Sequence, residues 1–208
     1  MLLRIHPDNP EKRFVSQLVQ ELKQGAIYIL PTDTVYALVA SLGAHRAINE
    51  IYRLKNLPET RPLALLCRDV AMASQYAQTI PNSVFRFMKA HTPGPYTFIL
   101  RANRQVDRRG VGKKKEVGVR FVGHALHQAL MEQLDIPLIS TSLTTEDEYF
   151  TDPDDLLQQY GHRVAGVVDG GVRPHVYSTI LDCQSDPPLL VRAGEGAVED
   201  LEHVAATE

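Results

Sequence analysis

Residues 25–38 read Gly25-Ala-Ile-Tyr-Ile-Leu-Pro-Thr-Asp-Thr-Val-Tyr-Ala-Leu38. Ala26 to Leu30 is a short apolar run with β-branched and aromatic residues, which predicts a buried strand. Pro31 ends it. Thr32, Asp33, Thr34 and Tyr36 then bring two hydroxyls, a carboxylate and a phenol off the end of that strand. Open α/β sheets bind ligands beyond the carboxyl ends of their strands. The segment therefore reads either as a ligand contact or as a polar turn with Asp33 as an ordinary cap.

Upstream, Asn9-Pro10-Glu11 predicts an N-cap with Pro in the first turn. Phe14, Leu18, Val19 and Leu22 form the apolar face, and Gly25 is the stop. Downstream, residues 44 to 54 read as a helix with Ile48, Ile51 and Leu54 on one side. Leu63 to Cys67 is a buried strand. Asp69 opens a helix to about Gln78, and Pro81 opens another to about His91. Tyr96 to Leu100 and Val117 to Val122 are strands, His124 to Leu134 a helix, and Pro137 to Thr141 a strand. Asp152-Pro153 caps a helix to about Tyr160. Ala165 to Asp169, Ser178 to Asp182 and Pro188 to Arg192 are the closing strands. Helices and strands alternate, then strands crowd together, which predicts an α/β chain with a mixed sheet. No repeat or linker divides it, so residues 1–208 read as one domain.

The 208 residues include 44 % hydrophobic ones, too many for a disordered chain. Lys plus Arg number 22 against 25 Asp plus Glu, a net charge of −3, which excludes a general basic coat for nucleic acid. No stretch is long and apolar enough for a membrane helix. Arg4, His6, Asp8 and Glu11 leave no room for a signal peptide's apolar core. Cys67 and Cys183 are too few for a disulfide framework or a thiolate zinc site and read as reduced, buried thiols of a cytoplasmic protein. Charge is uneven. Arg101 to Arg120 holds eight cations against Asp107 and Glu116, which reads as a solvated loop or a phosphate-binding patch. Glu146 to Asp155 holds six acids and reads as a solvated helix start.

Lys55 and Arg61 flank a Pro-containing turn just before the Leu63 strand. A point charge and a planar fork are the pair suited to a polyphosphate, although a plain surface loop would look the same. Neither Gly-rich phosphate loop is present. Ser140-Thr-Ser142 runs out of a strand, with no nucleophile elbow around any Ser. His124 and His127 sit three apart on a helix, without the further ligands a metal needs.

Taken together, these segments resemble the YrdC/YciO family, which includes threonylcarbamoyl-AMP synthases. "PTDTVYAL" (31–38) is similar to the family's PT[DE]TVYGL, "TPGPYTFIL" (92–100) to its PGP-x-T segment, and "VGVRF" (117–121) to its V-x-V-R-x-P strand. "PLISTSL" (137–143) resembles PL-x-STSAN, "STILD" (178–182) the ST-x-[IV]-D segment, and "LLVRAGEG" (189–196) the closing R-x-G. The six matches are in order and span about residues 10–196. The family's KGRP-x-x-x-PL is replaced by the longer "KNLPETRPL", the Asn of STSAN falls at Thr144, and Ala37 stands where VYGL has Gly. These departures look more like the YciO branch than the housekeeping synthase.

The resemblance implies a single YrdC-like domain, a twisted mixed sheet flanked by helices around a concave basic cavity. It implies a nucleotidyltransferase that joins L-threonine, bicarbonate or CO2, and ATP into threonylcarbamoyl-adenylate with release of pyrophosphate, for modifying an adenosine of certain transfer RNAs. Mapped residue by residue, Thr32, Thr34, Arg120, Ser142 and Ser178 hold the amino acid and carbamate. Lys55, Arg61, Thr144 and Arg192 face ATP, with Lys55 and Arg61 as the catalytic cations. Mg²⁺ is expected with ATP, held largely by phosphate and water. The alternative is a family member that binds a nucleotide, transfer RNA or double-stranded RNA with weak synthase activity or none.

Overall fold

The computed structural model describes residues 1–108, 115–144, 150–198 and 205–206. Along these the chain runs β1 (Leu2–Arg4), α1 (Lys12–Lys23), β2 (Tyr28–Leu30), β3 (Tyr36–Ser41), α2 (His45–Leu54), β4 (Ala64–Leu66), α3 (Val70–Ser74), α4 (Asn82–His91), β5 (Tyr96–Arg101), α5 (Arg104–Arg108), β6 (Glu116–Arg120), α6 (Ala125–Glu132), β7 (Leu138–Leu143), β8 (Phe150–Thr151), α7 (Pro153–Tyr160), β9 (Gly166–Asp169), β10 (Arg173–Pro174), β11 (Thr179–Asp182), β12 (Leu189–Arg192) and β13 (Ala205–Ala206). Eleven strands form one sheet in the order β1-β9-β2-β3-β7-β4-β6-β5-β11-β12-β13, and β8 pairs separately with β10. Pairing is mixed. β9 lies parallel to β1 and β2, β4 to β6, β5 to β11 and β12 to β13, while the other neighbours are antiparallel.

The opening segment folds differently from its sequence reading. Pro31 to Val35 does not leave the sheet but turns β2 back into β3 as an antiparallel hairpin, with Leu30 opposite Ala37. All six residues of β3 are buried. A strand covered on both faces has no polar alternation to mark it, and the hydroxyl-rich turn beside it hides its start. β1 was not legible either; it pairs with β9 at the sheet edge. α1 starts two residues later than Asn9-Pro10 suggests, with Glu11 at its N-cap and no side-chain cap bond. Its buried face is Val15, Leu18, Val19 and Leu22, while Phe14 is 41 % exposed. Gly25 does end it: at φ +96° it lets Ala26 N–H reach Glu21 O at 2.9 Å and its own N–H reach Leu22 O at 3.0 Å. Those two bonds close the helix end in a left-handed turn that favours Gly.

Two later helices are capped by the acids the sequence offers. Asp69 accepts from Met72 N at 2.7 Å, and Asp152 accepts from Asp154 N at 2.8 Å. Asp154 and Asp155 stand in the first turn of α7, where acids suit the helix dipole; residues 145–149 of the acidic stretch lie outside the described residues. Cys67 and Cys183 are free and buried. Strands β5, β6 and β11 alternate. Phe98, Val119 and Leu181 are wholly buried, while Thr97, Gly118 and Ile180 are partly exposed on the other face. That second face carries the candidate site.

Candidate functional site

A cavity of about 370 Å³ opens on this face. Its wall takes Ala37 from β3, Ser140, Thr141 and Ser142 from β7, Ala64 and Leu66 from β4, Arg120 from β6, Thr97 from β5, Ile180 from β11 and Arg192 from β12. These seven strands are consecutive in the sheet, so the sheet curls around the space. Thr32, Lys55, Leu57, Arg61, Pro62, Tyr177 and Ser178 close it from the connecting turns.

Arg120 is the inner cation. Its side chain is 7 % exposed and pairs with Asp33, itself 11 % exposed. The same Nη2 donates to Thr34 Oγ1 at 2.7 Å and lies 3.5 Å from Thr32 Oγ1. Burial pulls the guanidinium pKa down, and the Asp33 carboxylate opposes it. Nε is buried with no partner. Asp33 also accepts from Gly123 N at 2.7 Å. Thr32 folds the turn: its Oγ1 donates to Val35 O at 2.6 Å and accepts from Thr34 N at 3.0 Å. Such short local bonds are why hydroxyl residues favour turns.

The outer cations come from chain separated in sequence. Lys55 stands at the C-cap of α2, half-buried, and burial lowers its pKa. Arg61 is exposed, but its backbone is held: its N–H donates to Pro58 O at 2.8 Å and its carbonyl accepts from Tyr52 Oη at 2.7 Å. The longer "KNLPETR" spacing thus still delivers both side chains to one wall. Arg192 donates to Ser178 O at 3.2 and 2.8 Å, and its guanidinium lies 5.1 Å from the centre of the Tyr177 ring. Thr97 Oγ1 and Ser178 Oγ are 2.8 Å apart.

The structure brings together Thr32, Lys55, Arg61, Arg120, Ser142, Ser178 and Arg192. It does not bring Thr34 or Thr144 to the wall. Thr34 is buried behind Arg120 as one of its acceptors. β7 ends at Leu143, one residue short of Thr144, and the wall takes Ser140, Thr141 and Ser142 from it but not Thr144. Asp33, Ser140 and Thr141 lay in segments the sequence singled out but were given no role, and Thr97 and Tyr177 were missed. The signal for Thr97 was available: it is the hydroxyl on the face opposite Tyr96, Phe98 and Leu100. Tyr177, in the connection before β11, carried no periodic signal.

The basic run divides. Arg120 turns into the cavity, Arg101, Arg104 and Lys115 are exposed, and residues 109–114 lie outside the described residues. His127 is buried, with Nε2 2.9 Å from Pro31 O. Among the described residues no group of three His, Cys, Asp or Glu could hold a metal, and no helix is long and apolar enough to cross a membrane. A second cavity of about 370 Å³ lies beyond Leu66, between the Pro93 turn and α6. Its one cation, Arg68, is already paired with Asp69, so it lacks convergent charge.

A mixed sheet curled around a cavity of cations and hydroxyls, without a phosphate-binding Gly loop, defines an α/β protein of the YrdC-like class. The family model Sua5_yciO_yrdC, described as "Telomere recombination", matches residues 20–194, and the chain belongs to this family. It is similar to the "uncharacterized protein YciO" of Escherichia coli (strain K12), at 37 % identity over 94 % of this chain and 96 % of that one. It is 28 % identical to the threonylcarbamoyl-AMP synthase of Bacillus subtilis (strain 168), covering 91 % of this chain and 56 % of that protein. The E. coli YciO crystal structure superposes with TM-score 0.87 at 36 % identity, covering 97 % of this chain and 98 % of that chain. P. abyssi Sua5 complexed with L-threonine superposes at 0.88 and 22 % identity, covering all of this chain and 62 % of that one, a likeness of fold.

Proposed function

We propose that the cavity is the active site of a threonylcarbamoyl-AMP synthase, joining L-threonine, bicarbonate or CO2, and ATP with release of pyrophosphate. The observation that carries this is one cavity holding four cations, one inner and charge-paired and three at the wall, among clustered hydroxyls. Two differently charged groups, a carboxylate and a triphosphate, call for two kinds of cation. The synthase relatives and the relative solved with L-threonine support the reading.

In this reading Arg120, Thr32, Ser142 and Ser178 hold the threonine carboxylate and carbamate. The threonine amine adds to CO2 and loses a proton, and a carbamate oxygen attacks the α-phosphorus. The bond from that phosphorus to the bridging oxygen breaks, and pyrophosphate leaves with the charge. Lys55, Arg61 and Arg192 face the phosphates and stabilise that growing charge. Positioning and preorganised charge supply the acceleration, and no protein nucleophile is needed. The described lining has no carboxylate, so Mg²⁺ enters as part of the substrate, on phosphate oxygens and water. A cytoplasmic setting, with ATP and transfer RNA at hand, follows from the same reading.

The test is pyrophosphate release by the purified protein with and without L-threonine and bicarbonate. Release that requires both supports the synthase. ATP binding with no threonine-dependent turnover, or salt-sensitive RNA affinity alone, would replace it with a nucleotide- or RNA-binding role.

A further inference from the structure

Asp33 does not line the cavity, yet it makes two directional bonds beside it. One carboxylate oxygen accepts from Arg120 Nη2 and the other from Gly123 N–H at 2.7 Å. These tie the Pro31–Val35 turn to the end of β6 and the connector that follows. A Cβ on Gly123 would sit 3.2 Å from the Asp33 carboxylate and 3.5 Å from Gly94 Cα, so the connector has almost no slack. His127 adds a third tie, through Pro31 O at 2.9 Å.

A guanidinium is a rigid plane with five donors. With Nη2 engaged by Asp33 and Thr34, the plane of Arg120 is set. Nε is buried without a partner, and among the described residues only Nη2 of that plane is engaged, so donors of the guanidinium are left open. A buried donor is costly to leave unpaired, and Arg120 forms part of the cavity wall.

We infer that Asp33 is a positioning residue: it fixes the plane of Arg120 so that the guanidinium donors left open by Asp33 and Thr34 meet the carboxylate of the amino-acid substrate. Asp33 touches no substrate itself. The inference rests on the synthase reading for the identity of that carboxylate, but the geometry of Arg120 can be tested alone.

The experiment uses the ¹⁵N-labelled full chain, with the Arg120 Nε–H resonance identified by its loss in Arg120→Lys. In the free protein this resonance should stand apart from those of exposed arginines. In Asp33→Asn it should broaden or merge with them. Dissociation constants for L-threonine and MgATP are then measured on each variant. Asp33→Asn should weaken threonine about tenfold or more while MgATP stays within about twofold. In an Arg120→Lys background the same change should add little, because the group it positions is gone. Gly123→Ala keeps every charge and should weaken threonine in the same sense; it decides the matter if Asp33→Asn does not fold.

An unchanged Nε resonance in Asp33→Asn, or equal losses for threonine and MgATP, overturns the positioning role. A wild type with no threonine affinity overturns the synthase reading instead, and the resonance still decides whether Asp33 sets Arg120.

Discussion

Lys55 is half-buried, lines the cavity and has no ion-pair partner among the described residues. Burial lowers its pKa, so the protein spends stability to hold that ammonium at the wall. In a folded Lys55→Ala protein, ATP binding should weaken by about 1–3 kcal/mol, the worth of a lost charge-assisted contact. Isothermal titration gives the number directly, and unchanged affinity removes Lys55 from the nucleotide site. Residues of this kind were legible because charge beside a turn is visible in one dimension. Thr144 was misread for the complementary reason: a motif match fixes a position in the alignment, but only the end of β7 fixes whether the side chain reaches the wall. Asp33 read either as a ligand contact or as a turn cap, and neither is what it does, because its partners, Arg120 and Gly123, are far along the chain.

At the level of elements, helix ends and alternating strands could be read, and the doubly covered strand could not. β5 announces itself by Tyr96, Phe98 and Leu100 on one face; β3 buries everything it has. Two glycines show how differently elements tolerate one methyl. A Cβ on Gly118, in β6, would meet Thr97 Cγ2 at 3.6 Å and Ala64 Cα at 3.7 Å, ordinary contacts. Gly118→Ala should leave stability unchanged or raise it by about 0.4–1 kcal/mol, because the unfolded chain loses freedom. A Cβ on Gly194 would press on Tyr177 O and lie 2.6 Å from Ser178 C, backbone that cannot give way cheaply. Gly194→Ala should destabilise by more than about 1 kcal/mol and loosen the Ser178 carbonyl that Arg192 holds. Urea midpoints of the two variants check the contrast; equal midpoints would contradict the packing described.

For the whole molecule, His127 links stability to pH. Burial pushes its pKa down to about 4 from an ordinary 6.5. Between those values the unfolded chain binds a proton that the folded one refuses. The contribution is therefore complete above about pH 6.5 and is lost as pH falls toward 4, up to about 3 kcal/mol. His127→Gln can keep a donor toward Pro31 O and has no titration, so its stability should fall less steeply between pH 7 and pH 4.5. Parallel curves for the two proteins would show that His127 does not titrate this way. The fold class and the mixed sheet were legible from the order of elements. The strand order was not, since pairings such as β2 with β9 and β5 with β11 join distant parts of the chain.

The cavity draws on seven consecutive strands and their connecting turns, with residues that run from Thr32 near the beginning to Arg192 near the end. No short stretch of chain contains a rudiment of it. Contacts between residues distant in sequence form late, after the loop between them has closed. During refolding from urea, recovery of ligand affinity should therefore coincide with the slowest phase that completes the sheet, and a faster-collapsing species should bind nothing. Stopped-flow fluorescence with a labelled nucleotide would follow both together. Competence to bind is thus a property of the finished chain alone, and a partly made or partly unfolded copy cannot sequester substrate.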